Sequence, residues 1–221
     1  MKSGLKRLAG SLGAAIVLSG ALTACVPLIM GGAVAGSSLL VIDRRTSGAQ
    51  LEDEGIELRA ASRIRGTFGD PVHVNLTSYN RQVLLTGEVP SAQVKQQVEQ
   101  VAAGVENVSS VVNDLAVTAQ TSLSQRSNDT FLTGRVKAML LDARDLQSNA
   151  FKVVTERGSV YLMGRVTQRE ADRATQVVRS TPGVQKVIRV FDVISEQELA
   201  RLTPPAKPPP APPAPLKPAD N

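Results

Sequence analysis

A short apolar run ending near a glycine constrains this chain more than any other feature, because it is written twice. Val83-Leu84-Leu85-Thr86-Gly87-Glu88-Val89 returns 77 residues later as Val160-Tyr161-Leu162-Met163-Gly164-Arg165-Val166. Each run follows a two-residue polar turn, Asn80-Arg81 or Arg157-Gly158, and so reads as the second strand of a hairpin. Each is followed at once by a helix start. Self-similarity at a fixed spacing means a small domain in tandem duplicate, and 221 residues leave room for two. Glycine weakens a strand unless backbone approaches closely or bulges there, so Gly87 and Gly164 are expected to be structural.

The segments around the first run give one order. Ile56, Ala60 and Ile64, framed by Leu51 and Phe68, have helical spacing. Glu52, Asp53 and Glu54 are expected in that helix's first turn, where carboxylates suit its dipole. Val72, Val74 and Leu76 alternate with His73, Asn75 and Thr77, which predicts a strand with one buried face and His73 on the solvated side. Pro90-Ser91 opens a second helix with a stripe of Val94, Val98, Val101 and Val105. Val108, Val111 and Val112 carry the closing strand, giving α-β-β-α-β.

The second copy follows the same order. Ser127-Asn128-Asp129-Thr130 reads as an N-cap cluster, and Leu132, Val136, Met139 and Leu140 as the buried stripe after it. Phe131 stands one residue, about 100°, off the start of that stripe. Phe151 and Val153 face inward from the next strand. Thr167-Gln168-Arg169-Glu170 is a capping box opening a helix with Ala171, Ala174 and Val178 inward. Pro182-Gly183 stops that helix, and Val184, Val187 and Ile188 begin the last strand.

The fold class is therefore α+β, with each repeat a three-stranded mixed sheet packed on two helices. The expected organisation is a signal peptide over 1–24, Cys25 with a flexible tether over 25–49, and a first domain over 50–119. A linker over 120–126, a second domain over 127–195 and a proline-rich tail over 196–221 complete it. The leader has a basic start with Lys2, Lys6 and Arg7, then an apolar stretch from Leu8 to Leu22. No charged residue occurs from Leu8 to Ile42, so a spanning helix competes with the tether. Pro27, Gly31, Gly32 and Gly36 favour the tether. Nine of the 13 prolines lie between Pro204 and Pro218, and a polyproline-type tail is expected there.

Composition removes several function classes. Aromatics are 3% and Trp is absent, so the cores must be aliphatic. Cys25 and His73 are the one cysteine and the one histidine, which excludes an internal disulfide framework and a Cys/His zinc cluster. No nucleophile–His–acid set forms without His73, and no glycine-rich phosphate loop or marked carboxylate pair appears, so no enzyme, cofactor or metal is expected. The net charge of +5 falls to +2 without the leader, which makes nucleic acid an unsuitable partner. Charge is segregated: 5 basic against 9 acidic residues from Gln50 to Ala119, and 11 against 7 from Ser127 to Ser195. Opposite signs suggest different partners or mutual attraction.

Leu22-Thr23-Ala24-Cys25 resembles the lipobox of bacterial lipoproteins, which implies acylation of Cys25, and Val26 after it implies export to the outer membrane. The two repeats resemble BON domains. Combined with the lipobox, Asp43-Arg44-Arg45-Thr46 and Ser127-Asn128-Asp129-Thr130-Phe131, the layout resembles the dual-BON outer-membrane lipoproteins of the DolP family. That resemblance implies binding of anionic phospholipid through the first helix of the second domain. Phe131 would be the inserted aromatic beside Thr130 and Leu132, with Arg135 and Lys137 attracting headgroups. Relatives carry Trp there, and Phe implies shallower insertion. The resemblance also implies a role in outer-membrane integrity, with support of the β-barrel assembly machinery and enrichment at division sites. The competing expectation is an envelope protein-binding adaptor docking through the acidic repeat or the tail.

Overall fold

In the computed structural model, residues 43–69 and 72–202 are described. The leader, Cys25, residues 26–42 and the proline-rich stretch from Thr203 lie outside the described residues.

Helix α1, Ser47–Phe68, is capped by Thr46, whose side chain accepts from the Ala49 N–H at 3.1 Å. Strands β1, His73–Tyr79, and β2, Gln82–Val89, pair antiparallel around Asn80-Arg81. Helix α2, Ala92–Ala103, starts at the Ser91 cap and crosses back, so that β3, Ser110–Asn113, and β4, Ala116–Val117, both run parallel to β2. The second copy repeats the order with α3, Leu123–Asp142, then β5, Lys152–Glu156, and β6, Ser159–Thr167. Helix α4, Gln168–Arg179, and β7, Lys186–Ile194, close it, and a short α5, Glu196–Leu202, follows. Each sheet is mixed, with the glycine-bearing strand in the middle. The Thr167/Glu170 capping box is present as expected.

Both turns place two consecutive residues at positive φ: Asn80 at 49° and Arg81 at 68°, then Arg157 at 49° and Gly158 at 70°. That is the turn whose twist matches a hairpin, but it is strained for Arg81 and Arg157. A carboxylate compensates in each copy. Asp53 accepts from the Asn80 and Arg81 N–H groups at 2.7 and 2.8 Å, and Asp129 from those of Arg157 and Gly158 at 2.8 and 2.9 Å. Both acids are buried. Asp53 is therefore a turn clamp and not a first-turn dipole partner, since α1 begins at Ser47 and the expected tether to residue 49 already contains its first turn. Asp129 is likewise mid-helix. The capping box of α3 is Ser122 with Gln125, so the expected linker over 120–126 holds the first helical turn. Leu51 is 69% exposed and does not frame the core.

The helices cover one face of each sheet. Ile56, Ala60 and Ile64 pack with Val83, Leu85, Val89 and Val98, while Leu132, Val136 and Leu140 pack with Val160, Leu162, Ala174 and Val178. The opposite faces pack against each other. Tyr79, Leu84, Tyr161, Met163 and Val190 form a third apolar cluster, so β2 and β6 are buried on both sides. The layers run helices, sheet, sheet, helices. Polar residues of the seam bond across it: the Tyr161 hydroxyl donates to Asp114 at 2.7 Å, and Asn75 Nδ2 to Glu156 at 2.8 Å. His73 is half-buried and not on a fully solvated face. Its Nδ1 lies 2.8 Å from Oε2 of Glu88, whose side chain is fully buried.

Asp43-Arg44-Arg45 straps the two domains together, and adjacent arginines serve opposite sides. Arg44 makes a bidentate pair with Glu170 of α4, both bonds 2.7 Å, with side chains 2% and 4% exposed. Arg45 donates to Asp53 at 2.6 Å and stacks 4.3 Å over the Tyr79 ring. Burial alone would raise the Glu170 carboxyl, but the Arg44 bonds and the Thr167 N–H outweigh it and hold it below its ordinary value. Removing one partner of such a buried pair costs about 3–5 kcal/mol, because the other charge is stranded.

The two strand glycines sit where backbone crosses. A Cβ on Gly87, at φ 111°, would collide with the His73 carbonyl oxygen, and one on Gly164 with that of Ala150. Gly164→Ala should therefore lower stability by at least about 2 kcal/mol, read as a depressed melting temperature; a melt matching the parent would contradict the crowding. A second expectation follows from Glu156. Burial pushes its carboxyl up, Asn75 pulls it back in part, and the Glu88 carboxylate adds to the rise. A raised carboxyl favours the protonated fold, so the ionised group costs stability at neutral pH and the cost fades as pH falls through the carboxylate range. Glu156→Gln should raise the melting temperature by a few degrees at pH 7 and by less near pH 4; the opposite trend would contradict the assignment.

Candidate membrane-binding face

Helix α3 buries one side and leaves the other unpartnered. Leu132, Val136 and Leu140 occupy the inner side with Asp129, which ties the helix to the β5–β6 turn. At about 100° per residue, Leu123, Phe131, Gly134, Ala138 and Leu141 fall within about a quarter turn on the outer side. Leu123, Phe131 and Leu141 are 80%, 74% and 70% exposed. Large apolar side chains this bare on one helix face mark a surface that meets something apolar.

The expected site residues do not all meet there. Phe131 stands at the outer edge with Arg135 one turn on, and Thr130 is exposed beside it with its hydroxyl donating to the Arg126 carbonyl at 3.0 Å. Lys137 is exposed on the opposite flank, next to Leu141, so the two cations bracket the apolar arc. Leu132 departs from the expectation. It is 7% exposed and belongs to the core, so it supports the helix from within and is not part of the bare outer arc. Gly87 and Gly164 lie in the central strands and do not reach this face.

Beside Phe131 lies an open groove of about 510 Å³ between the first half of α3, the Arg157-Gly158 turn and the Pro182-Gly183 loop. Arg135 Nη1 donates to the Pro182 carbonyl at 2.6 Å, which fixes that guanidinium at the rim. The sequence reading missed the groove, because Arg157 and Gly183 come from turns far along the chain from α3. Both turns were legible as turns; their convergence was not. Among the described residues no group of His, Cys, Asp or Glu is arranged to hold a metal ion, and no helix is long and apolar enough to cross a membrane.

Comparison with known proteins agrees with the duplicated architecture. The BON domain model matches residues 53–119 and again 128–195. The outer membrane lipoprotein DolP of Haemophilus influenzae is 41% identical over 192 residues, covering 86% of this chain and 96% of that protein. The 21 kDa hemolysin of Actinobacillus pleuropneumoniae is 32% identical over 155 residues, covering 69% and 80%. The osmotically-inducible protein Y of Escherichia coli is 33% identical over 117 residues, covering 52% and 58%. The chain belongs to the BON-domain proteins, as a dual-BON lipoprotein of the DolP family.

Proposed function

We propose that this chain is a non-enzymatic periplasmic protein, held at the outer membrane by acylated Cys25, that binds anionic phospholipid through the outer face of α3 and so supports envelope integrity. The observation that carries this reading is the arc of bare apolar side chains headed by Phe131 and bracketed by Arg135 and Lys137. A helix of that pattern lies in the interface plane, its apolar face in the acyl boundary and its cations among headgroups. The rest of the second domain adds to it, since that repeat carries 11 basic against 7 acidic residues. The similarity to a DolP of the outer membrane supports the location. Phe in place of the family's Trp fits a shallow contact that adds to the acyl anchor without replacing it.

A protein-adaptor reading has one observation in its favour. Leu51 and Leu58 are 69% and 73% exposed on α1 of the acidic first domain, a face suited to an envelope protein such as the β-barrel assembly machinery. Flotation separates the two. The unacylated chain from Val26 onward should rise with phosphatidylglycerol vesicles and not with phosphatidylcholine vesicles. Phe131→Ala should weaken that binding at least about tenfold. Equal flotation of parent and variant would move the contact elsewhere, and none by either would favour the adaptor.

A further inference from the structure

The chain contains its own comparison for the groove beside Phe131, because the first repeat has the same corner in closed form. There, Glu52 stands one residue before the turn-clamping Asp53. It accepts from Arg59 Nη2 at 2.8 Å and from Asn107 Nδ2 at 3.1 Å. Arg81 Nε donates to the Asn107 carbonyl at 2.6 Å, and Arg59 reaches the Glu106 carbonyl at 3.4 Å. Hydrogen bonds from Asn107 and Arg59 hold the Glu52 carboxyl below its ordinary value. Both guanidiniums of that corner, Arg59 and Arg81, donate to acceptors of the same repeat.

In the second repeat the equivalent of Glu52 is Asn128, one residue before Asp129. Arg135 takes the place of Arg59, and its bond to the Pro182 carbonyl matches that of Arg59 to Glu106. Gly183, at φ 96°, replaces Asn107, at φ 68°, and removes the side chain that bridged the acid. In the turn, Arg157 stands where the first repeat has Asn80 and Gly158 where it has Arg81, so the turn's guanidinium moves back by one residue. The result is an open groove with the carboxylate deleted and two guanidiniums kept, those of Arg135 and Arg157. Asp129 is the one acid among its lining residues, and both its oxygens are engaged by the Arg157 and Gly158 N–H groups. The Arg157 guanidinium makes no hydrogen bond or ion pair among the described residues.

We propose that this groove receives the phosphate of an anionic phospholipid headgroup, held between Arg157 and Arg135 in the place that Glu52 fills in the first repeat. A planar guanidinium suits a phosphate through paired N–H donors, and the Gln125, Asn128 and Gln185 amides suit the glycerol hydroxyls around it. Phe131, on the rim, then lies on the acyl side of the same lipid. The volume of about 510 Å³ admits a glycerophosphate group. This deepens the phospholipid-binding reading and rests on it.

Two substitutions install the first repeat's residues. Asn128→Glu is at an exposed helix position and restores the missing acid; Arg157→Asn keeps a residue that tolerates positive φ while removing the cation. In the chain from Val26 onward, each should weaken binding to phosphatidylglycerol vesicles about fivefold. Titration with glycerol phosphate, followed by amide NMR, should shift Gly158 and Gly183 in the parent and leave them still in Asn128→Glu. If both variants float like the parent, or if Asn128→Glu titrates like it, the groove assignment is overturned. If the parent fails to float yet shows the glycerol phosphate shifts that Asn128→Glu abolishes, the membrane reading fails and the groove stands as a phosphate-ester site.

Discussion

Burial of the two central strands on both faces is the constraint on which the rest of the molecule depends. Strand β2 sends Val83, Leu85 and Val89 to its helices and Leu84, Thr86 and Glu88 to the opposing sheet. Strand β6 does the same with Val160, Leu162 and Val166 on one side and Tyr161 and Met163 on the other. A three-stranded sheet with two helices buries little alone, and stacking two such sheets supplies the missing cover. The Asp43-Arg44-Arg45 strap closes the stack from outside, with one arginine for each domain.

That stacking decides what is left for function. Both inner sheet faces are consumed by the seam, so the surfaces free to meet a membrane are the outer sides of the helices. Helices α1 and α3 occupy corresponding places in the two repeats, and divergence between them is chemical. The first corner is acidic and self-satisfied through Glu52. The second has Phe131 where the first has Gly55, and Asn128 where the first has Glu52. A duplicated scaffold has thus kept its turn clamp, Asp53 and Asp129, while one copy opened a basic, apolar-edged face.

Much of this was legible in the residues. The glycine-bearing runs, the helical stripes and the α-β-β-α-β order all follow from period and turn chemistry, and each glycine lies against backbone as its rarity in strands implies. Helix starts were harder. The dense Ser127–Thr130 cluster drew attention from the sparser Ser122/Gln125 box, because a capping residue and a turn-clamping one look alike until the distant turn is in place. His73 read as solvated because alternation reports that one face is polar, not that a second sheet covers it. The signal for docking was present in β2 itself: Val83-Leu84-Leu85 does not alternate, and a continuous apolar run marks a strand buried on both sides. The groove was illegible, since it joins three segments brought together by the fold.

The chain has no Trp, so one introduced indole reports from one place. The most direct measurement is the emission of Phe131→Trp with phosphatidylglycerol vesicles, beside Leu58→Trp on the helix layer of the first domain. The account predicts a blue shift at position 131 and none at 58, because the two helix layers lie on opposite sides of the stacked sheets. An unchanged spectrum at 131, or equal shifts at both, would contradict a membrane face on α3.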